Sequence, residues 1–131
     1  MIQHAERIEL EAPLSGDFQA VVRLIIGGIA ERVDFAFEEI DDLQLAVERL
    51  LAETGQVGSV SLSFEIVDDG IRARIGPLST SAISDALADG DAPPGVLTLR
   101  RILQTVVDSF GVETAADGSV VVRLVKRKGI A

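Results

Sequence analysis

Cysteine is absent from this chain, which excludes a disulfide framework, a thiol nucleophile and a cysteine-based zinc site. Tryptophan and tyrosine are absent as well, and the 4% of aromatic residues are all phenylalanine, so the core is aliphatic. A single histidine, His4, stands near the start. Without cysteine or a histidine cluster, no metal site is expected. Long hydrophobic runs are also missing. The longest, Val21 to Ala30, is interrupted by Arg23 and is too short to cross a bilayer. Residues 1–12 carry His4, Glu6, Arg7, Glu9 and Glu11 with no continuous apolar stretch, which predicts no secretory signal. No membrane association and a cytoplasmic location are expected.

Positive charge is scarce. Twelve Lys and Arg face 21 Asp and Glu, a formal net charge of -9. Nucleic-acid binding needs clustered cations, so no nucleic-acid partner is expected. The one basic run, Arg123, Lys126, Arg127 and Lys128, reads as a solvated last strand and tail. An acidic domain does suit a basic protein partner, through electrostatic steering.

The 131 residues, 47% hydrophobic and 25% charged, have the composition of one globular domain spanning 1–131. Arg7 to Glu11 alternates as a half-buried strand with Ile8 and Leu10 inward. Ser15 is the expected N-cap of a long amphipathic helix carrying Phe18, Val21, Val22, Ile25, Ile26, Ile29 and Val33. Gly27-Gly28 inside it costs about 1 kcal/mol per glycine relative to alanine, and close packing on the sheet is the expected reason. A second helix opens in the acidic cluster Glu38, Glu39, Asp41, Asp42 and ends near Thr54-Gly55. Val60 to Ile66 and Ile71 to Ile75 alternate around Asp68-Asp69-Gly70, a strong hairpin signal. Residues 76–95 read as one long irregular loop with a short helical turn around Ser81 to Leu87. Leu99, Ile102, Leu103, Val106 and Phe110 mark a third helix, and Val112 to Val125 a closing hairpin turning at Asp117-Gly118.

The run Asp42-Leu43-Gln44-Leu45-Ala46-Val47 resembles the signature helix of the gyrase/histidine-kinase ATPase superfamily. Its small bacterial anti-sigma factors with serine-kinase activity are the most similar group. The order of elements agrees over roughly Arg7 to Arg127. The resemblance implies an α+β two-layer sandwich: a mixed, mostly antiparallel sheet with three helices on one face, and loop 76–95 at the position of the ATP lid.

The family's chemistry depends on three constellations. The first is a Glu and an Asn four residues apart on the signature helix, for nucleophile activation and magnesium. Arg49 and Glu53 stand there. Arginine is no base at neutral pH. Glu53 has the chemistry to hold magnesium, yet an i,i+4 surface ion pair with Arg49 is the plainer reading. The second is an Asp-x-Gly-x-Gly turn whose Asp reads adenine. Arg74-Ile75-Gly76-Pro77-Leu78-Ser79 keeps only Gly76, which reads as a plain turn. The third is a Gly-x-Gly turn whose amides cradle phosphates. Gly95 remains there, but Leu97 replaces the second glycine, and Pro93 and Pro94 supply no N–H.

The remaining chemistries are weaker still. Ser79-Thr80-Ser81 has no neighbouring histidine to activate a hydroxyl, and Asp68-Asp69 and Asp89-Gly90-Asp91 lack calcium-loop spacing. The expectation is therefore a non-catalytic protein-binding regulator that resembles an anti-sigma factor, with no cofactor and no catalytic residue. Its partner would be a sigma factor or an anti-sigma antagonist. One alternative is a divergent serine kinase using ATP and magnesium with Glu48 or Glu53 as a displaced acid. Another is a structural homodimer module. The hairpin's outward residues Ser59, Ser61, Ser63, Glu65, Arg72 and Arg74 are the candidate interface, for a second copy or another protein.

Overall fold

The computed structural model describes residues 6–13, 17–53, 58–87 and 93–129. His4, Ser15, Thr54-Gly55 and Asp89-Gly90-Asp91 lie outside the described residues. In chain order the elements are β1 (Arg7–Pro13), α1 (Asp17–Arg32), α2 (Phe37–Glu53), β2 (Ser59–Val67), β3 (Gly70–Leu78), α3 (Thr80–Leu87), α4 (Leu99–Val106), β4 (Ser109–Thr114) and β5 (Val120–Arg127). They form an α+β sandwich of two layers.

The sheet runs β1-β2-β3-β5-β4. Among the described residues all four pairings are antiparallel, with no parallel pair of the kind a mixed sheet requires. Alternation sends Val60, Leu62 and Phe64 of β2, Ile71, Ala73 and Ile75 of β3, and Val120, Val122 and Leu124 of β5 to one face. There they meet Val22, Ile26 and Ile29 of α1, Leu43, Val47 and Leu50 of α2, and Leu99 and Leu103 of α4 in one core. Three helices cover that face as expected, and α3 adds a short fourth whose Ile83 joins the core.

The helix ends are set by specific groups. Asp34 closes α1 in the left-handed region, φ 55°. The Phe35 N–H then reaches the Ala30 carbonyl at 3.1 Å and the Asp34 N–H the Glu31 carbonyl at 3.1 Å. That is a Schellman closure with aspartate in glycine's usual place. Glu39 reaches back to the Ala36 N–H at 2.6 Å, one half of a capping box at the start of α2. Thr98 caps α4 by accepting the Arg101 N–H at 3.2 Å.

Several sequence expectations are corrected. Gly76-Pro77 is no turn: β3 continues through it to Leu78, with a cis bond at Pro77 and a register shift against β5. A Cβ on Gly76 would stand 2.8 Å from the Val120 carbonyl and 2.9 Å from a Val121 methyl, so the bulge needs glycine. Phe110 belongs to β4, opposite Leu124, because the backbone turns extended at Val107 and the Asp108 N–H pairs with Val125. Ile8 is 43% exposed, since β1 is the sheet edge among the described residues. Gly27-Gly28 does not pack on the sheet. Gly27 faces Gln44 of α2, and a Cβ on Gly28 would meet nothing within 4 Å.

Candidate functional site

Four α2 acids, Glu39, Asp41, Asp42 and Glu48, are engaged by other parts of the fold. Glu48, the alternative displaced acid, accepts from Arg23 of α1 at 2.6 Å. Asp41 meets the same guanidinium at 3.2 Å. Hydrogen bonding to Glu48 holds the Arg23 pKa above its ordinary value. Asp42 accepts from Lys126 at 3.1 Å, and that ammonium also donates to the Val106 carbonyl at 2.9 Å. One cation thus ties α2, α4 and β5 together. Glu39 caps its own helix and accepts the Gly129 N–H, and these two backbone donors depress its pKa.

Arg49 is half-buried, with its Nε out of contact with water, which is more enclosed than a purely surface ion pair. Glu53 ends α2, and its side chain lies outside the described residues. At the phosphate-turn position Gly95 is left-handed, φ 88°. Of the three N–H groups that follow it, those of Val96 and Thr98 are engaged: Val96 donates to Pro93 and Thr98 to Val96, each at 3.2 Å. Arg101 then grips the carbonyls of Pro93 and Val96 at 2.7 and 2.8 Å. This segment is folded onto the start of α4 with its carbonyls clamped. A phosphate cradle instead needs N–H groups aimed at the ligand.

Gly76 opens on the other side of the molecule. It lines a concavity of about 420 Å³ on the outer sheet face together with Ser61, Ser63 and Arg74, walled by Arg7 and Glu9. Small residues form this hollow because long side chains surround them. The structure therefore groups Gly76 with the interface candidates.

The outer face carries a charge network within the chain. Glu65 accepts from Arg72 at 2.9 Å and from Arg74 at 3.0 Å. Arg74 also reaches over β5 to Glu113 of β4 at 3.1 Å. The Arg72 hydrogen bond is the main cause of a depressed Glu65 pKa, and Glu113 of a raised Arg74 pKa. Ser59, at the start of β2, donates to Glu11 of β1 at 3.3 Å. Arg123 lies across Gly111, where a Cβ would stand 2.8 Å from its guanidinium. Sequence reasoning missed Glu113 and Arg123 as members of this face. The available signal was period-two alternation, which puts Gly111 and Glu113 of β4 with Val121 and Arg123 of β5.

No family model matches the chain. Serine-protein kinase RsbW of Bacillus cereus (strain Q1) is 26% identical over 81 residues, 57% of this chain and 51% of that protein. The same kinase of Bacillus pumilus (strain SAFR-032) is 25% identical, and the match covers 96% of this chain and 88% of that one. The chain is thus similar to the RsbW serine-protein kinases. It spans about half the length of the Bacillus cereus RsbW proteins it matches. The RsbW relationship agrees with the anti-sigma kinase resemblance carried by Asp42 to Val47. Among the described residues no helix is long and apolar enough to cross a membrane, and no three or more His, Cys, Asp or Glu side chains gather as a metal site would need.

Proposed function

We propose that this chain is an RsbW-like regulator that acts by binding another protein, in the manner of an anti-sigma factor, and has given up phosphoryl transfer. The observation that carries this reading is Arg49 on α2, a half-buried cation where the resembled kinases place their catalytic acid. The 93–98 segment supports it, because the Val96 and Thr98 amides donate within the segment and Arg101 holds the Pro93 and Val96 carbonyls. A base is missing, and the phosphate turn offers fewer N–H groups than the chemistry requires. The partner is a sigma factor or an anti-sigma antagonist, met in the cytoplasm. Its landing surface is the outer sheet face around Ser61, Ser63 and Arg74, where a hollow of about 420 Å³ has charged walls. The charges there are mutually matched, so the face suits a polar partner.

The alternative is a divergent ATP-dependent kinase, favoured by the named activity of the RsbW relatives. Mg-ATP separates the two readings. A ligand at 100 times its dissociation constant stabilises a fold by about 2.7 kcal/mol. The regulator reading expects no saturable rise in melting temperature with millimolar Mg-ATP. A saturable rise, with phosphate transferred to a serine protein, establishes the kinase instead.

A further inference from the structure

The sheet ends at β4, which pairs with β5 on one side and with no described strand on the other. Every second residue of such an edge points its N–H and C=O away from the sheet. Edges are usually blunted by charge or proline. The opposite edge, β1, ends in Pro13 and carries Arg7, Glu9 and Glu11. β4, Ser109 to Thr114, has no proline, and its one charged residue, Glu113, is held by Arg74. Phe110 and Val112 lie opposite the buried Leu124 and Val122, so they face the helix layer. α4 is only eight residues long and leaves Val112 44% exposed. Between α4 and β4 runs a groove of about 540 Å³, lined by these two residues with Leu87, Arg100 and Gln104. Arg100 is exposed, its guanidinium 5.9 Å from the centre of the Phe110 ring. Among the described residues no carboxylate pairs with it. Asp108, the one acid in the lining, accepts the Arg127 N–H at 2.7 Å.

We propose that an extended segment of another protein adds to β4 as a sixth strand and seats alternate side chains, apolar ones and one acid, in the groove between β4 and α4. The open edge supplies the main-chain hydrogen bonds of strand addition, and the groove selects the side chains. The six residues of β4 span about 20 Å, so the partner engages a segment of similar length. Alternation sends about three of its side chains into the groove. Those over Phe110, Val112 and Leu87 are apolar, because they cover hydrocarbon that water otherwise meets. The one at Arg100 is a carboxylate, which matches the guanidinium fork. A single acid suits the site better than a run of them, because the chain's own net charge is -9. A helical occupant is excluded, since its main-chain groups are already paired and leave the edge unsatisfied. The groove lies on the helix side of the sheet and shares no lining residue with the outer-face hollow around Ser61 and Ser63. This inference does not depend on the regulator reading or on nucleotide.

Capped eight-residue peptides test it, with threonine at every second position, valine at the others, and one glutamate moved in turn through the valine positions. Titrated into the isotope-labelled chain, one or more of them should shift the amide signals of Ser109 to Thr114 saturably. Alternate β4 amides should then exchange more slowly with deuterium. Replacing the glutamate by glutamine should weaken binding about threefold, and Arg100→Glu should weaken it at least as much. A lysine peptide should prefer the Arg100→Glu chain. Val112→Lys should abolish binding, because it sets a charge on the edge. Arg100→Glu, a change at an exposed position, guards against a folding artefact. N-methylation of alternate peptide amides should abolish binding in one of its two phases, as main-chain pairing demands. No shift with any of these peptides at millimolar concentration overturns the inference. So does binding that survives both Val112→Lys and N-methylation in either phase. Edge amides of β4 that are protected without peptide overturn it as well. The chain itself then closes the edge, or a second copy does if protection grows with protein concentration. Equal binding of the glutamate and glutamine peptides overturns the pairing of an acid with Arg100.

Discussion

Arg23 of α1 and Glu48 of α2 stand 2.6 Å apart, N to O, and join the two helices across their outer edges. Glu48 is the acid that a one-residue shift along the signature helix would nominate for catalysis. Its carboxylate instead neutralises a cation 25 residues earlier in the chain. The pair is partly exposed, 46% and 28% for the two side chains, so screening limits its strength.

A double-mutant cycle of Arg23→Ala and Glu48→Ala should return a coupling of about 0.2–1 kcal/mol that shrinks with salt. Chemical denaturation at low and high ionic strength measures it. A coupling near zero at low salt would mean that the two helices are held by their apolar contacts alone.

Gly76 should tolerate no side chain. A Cβ at this bulge meets the backbone of Val120 and the Val121 side chain at under 3 Å, and backbone does not yield cheaply. Gly76→Ala should cost about 1–3 kcal/mol, the usual range for overpacking a filled site. Urea denaturation gives the value. The same change at an open surface glycine lacks this steric term.

Glu39 gives the fold a dependence on acid. Backbone donors at Ala36 and Gly129 hold its pKa below the ordinary glutamate value. A depressed folded pKa adds stability that is fully present above the unfolded pKa, about 4.3, and is lost as pH falls through the folded value. Glu65, depressed chiefly by Arg72, acts in the same direction. Thermal melts from pH 7 down to pH 3 should show falling stability below about pH 4.3, and Glu39→Gln should flatten that fall.

The elements legible in the sequence were those written in periodicity. Val60 to Ile66 and Ile71 to Ile75 alternate without interruption, and the structure pairs them in the expected facing, Phe64 opposite Ala73. The helix carrying Val22, Ile26 and Ile29 was equally plain. What escaped depended on tertiary neighbours. Gly76-Pro77 has the local chemistry of a turn, yet the approach of β5 makes it a bulge within a strand. Phe110 fits the helical period of Leu103 and Val106, but pairing with Leu124 draws it into β4. At the site, the replacements at positions 49 and 97 were visible in the sequence. The clamp of Arg101 on the Pro93 and Val96 carbonyls was not, because no local rule selects a guanidinium's carbonyl partners.

Ser61 and Ser63 stand in the floor of the outer-face hollow, beside Arg74 and Gly76. Both side chains are small, and long side chains there would fill the depression and alter its charge. The double variant Ser61→Glu with Ser63→Arg should abolish capture of a sigma factor or anti-sigma antagonist in a pull-down with purified candidates. It should leave the fold nearly unchanged, because outward surface substitutions usually stay within about 0.5 kcal/mol. Circular dichroism checks that condition in the same samples. A folded double variant that retains every partner bound by the wild type would remove this face from the regulator's mechanism.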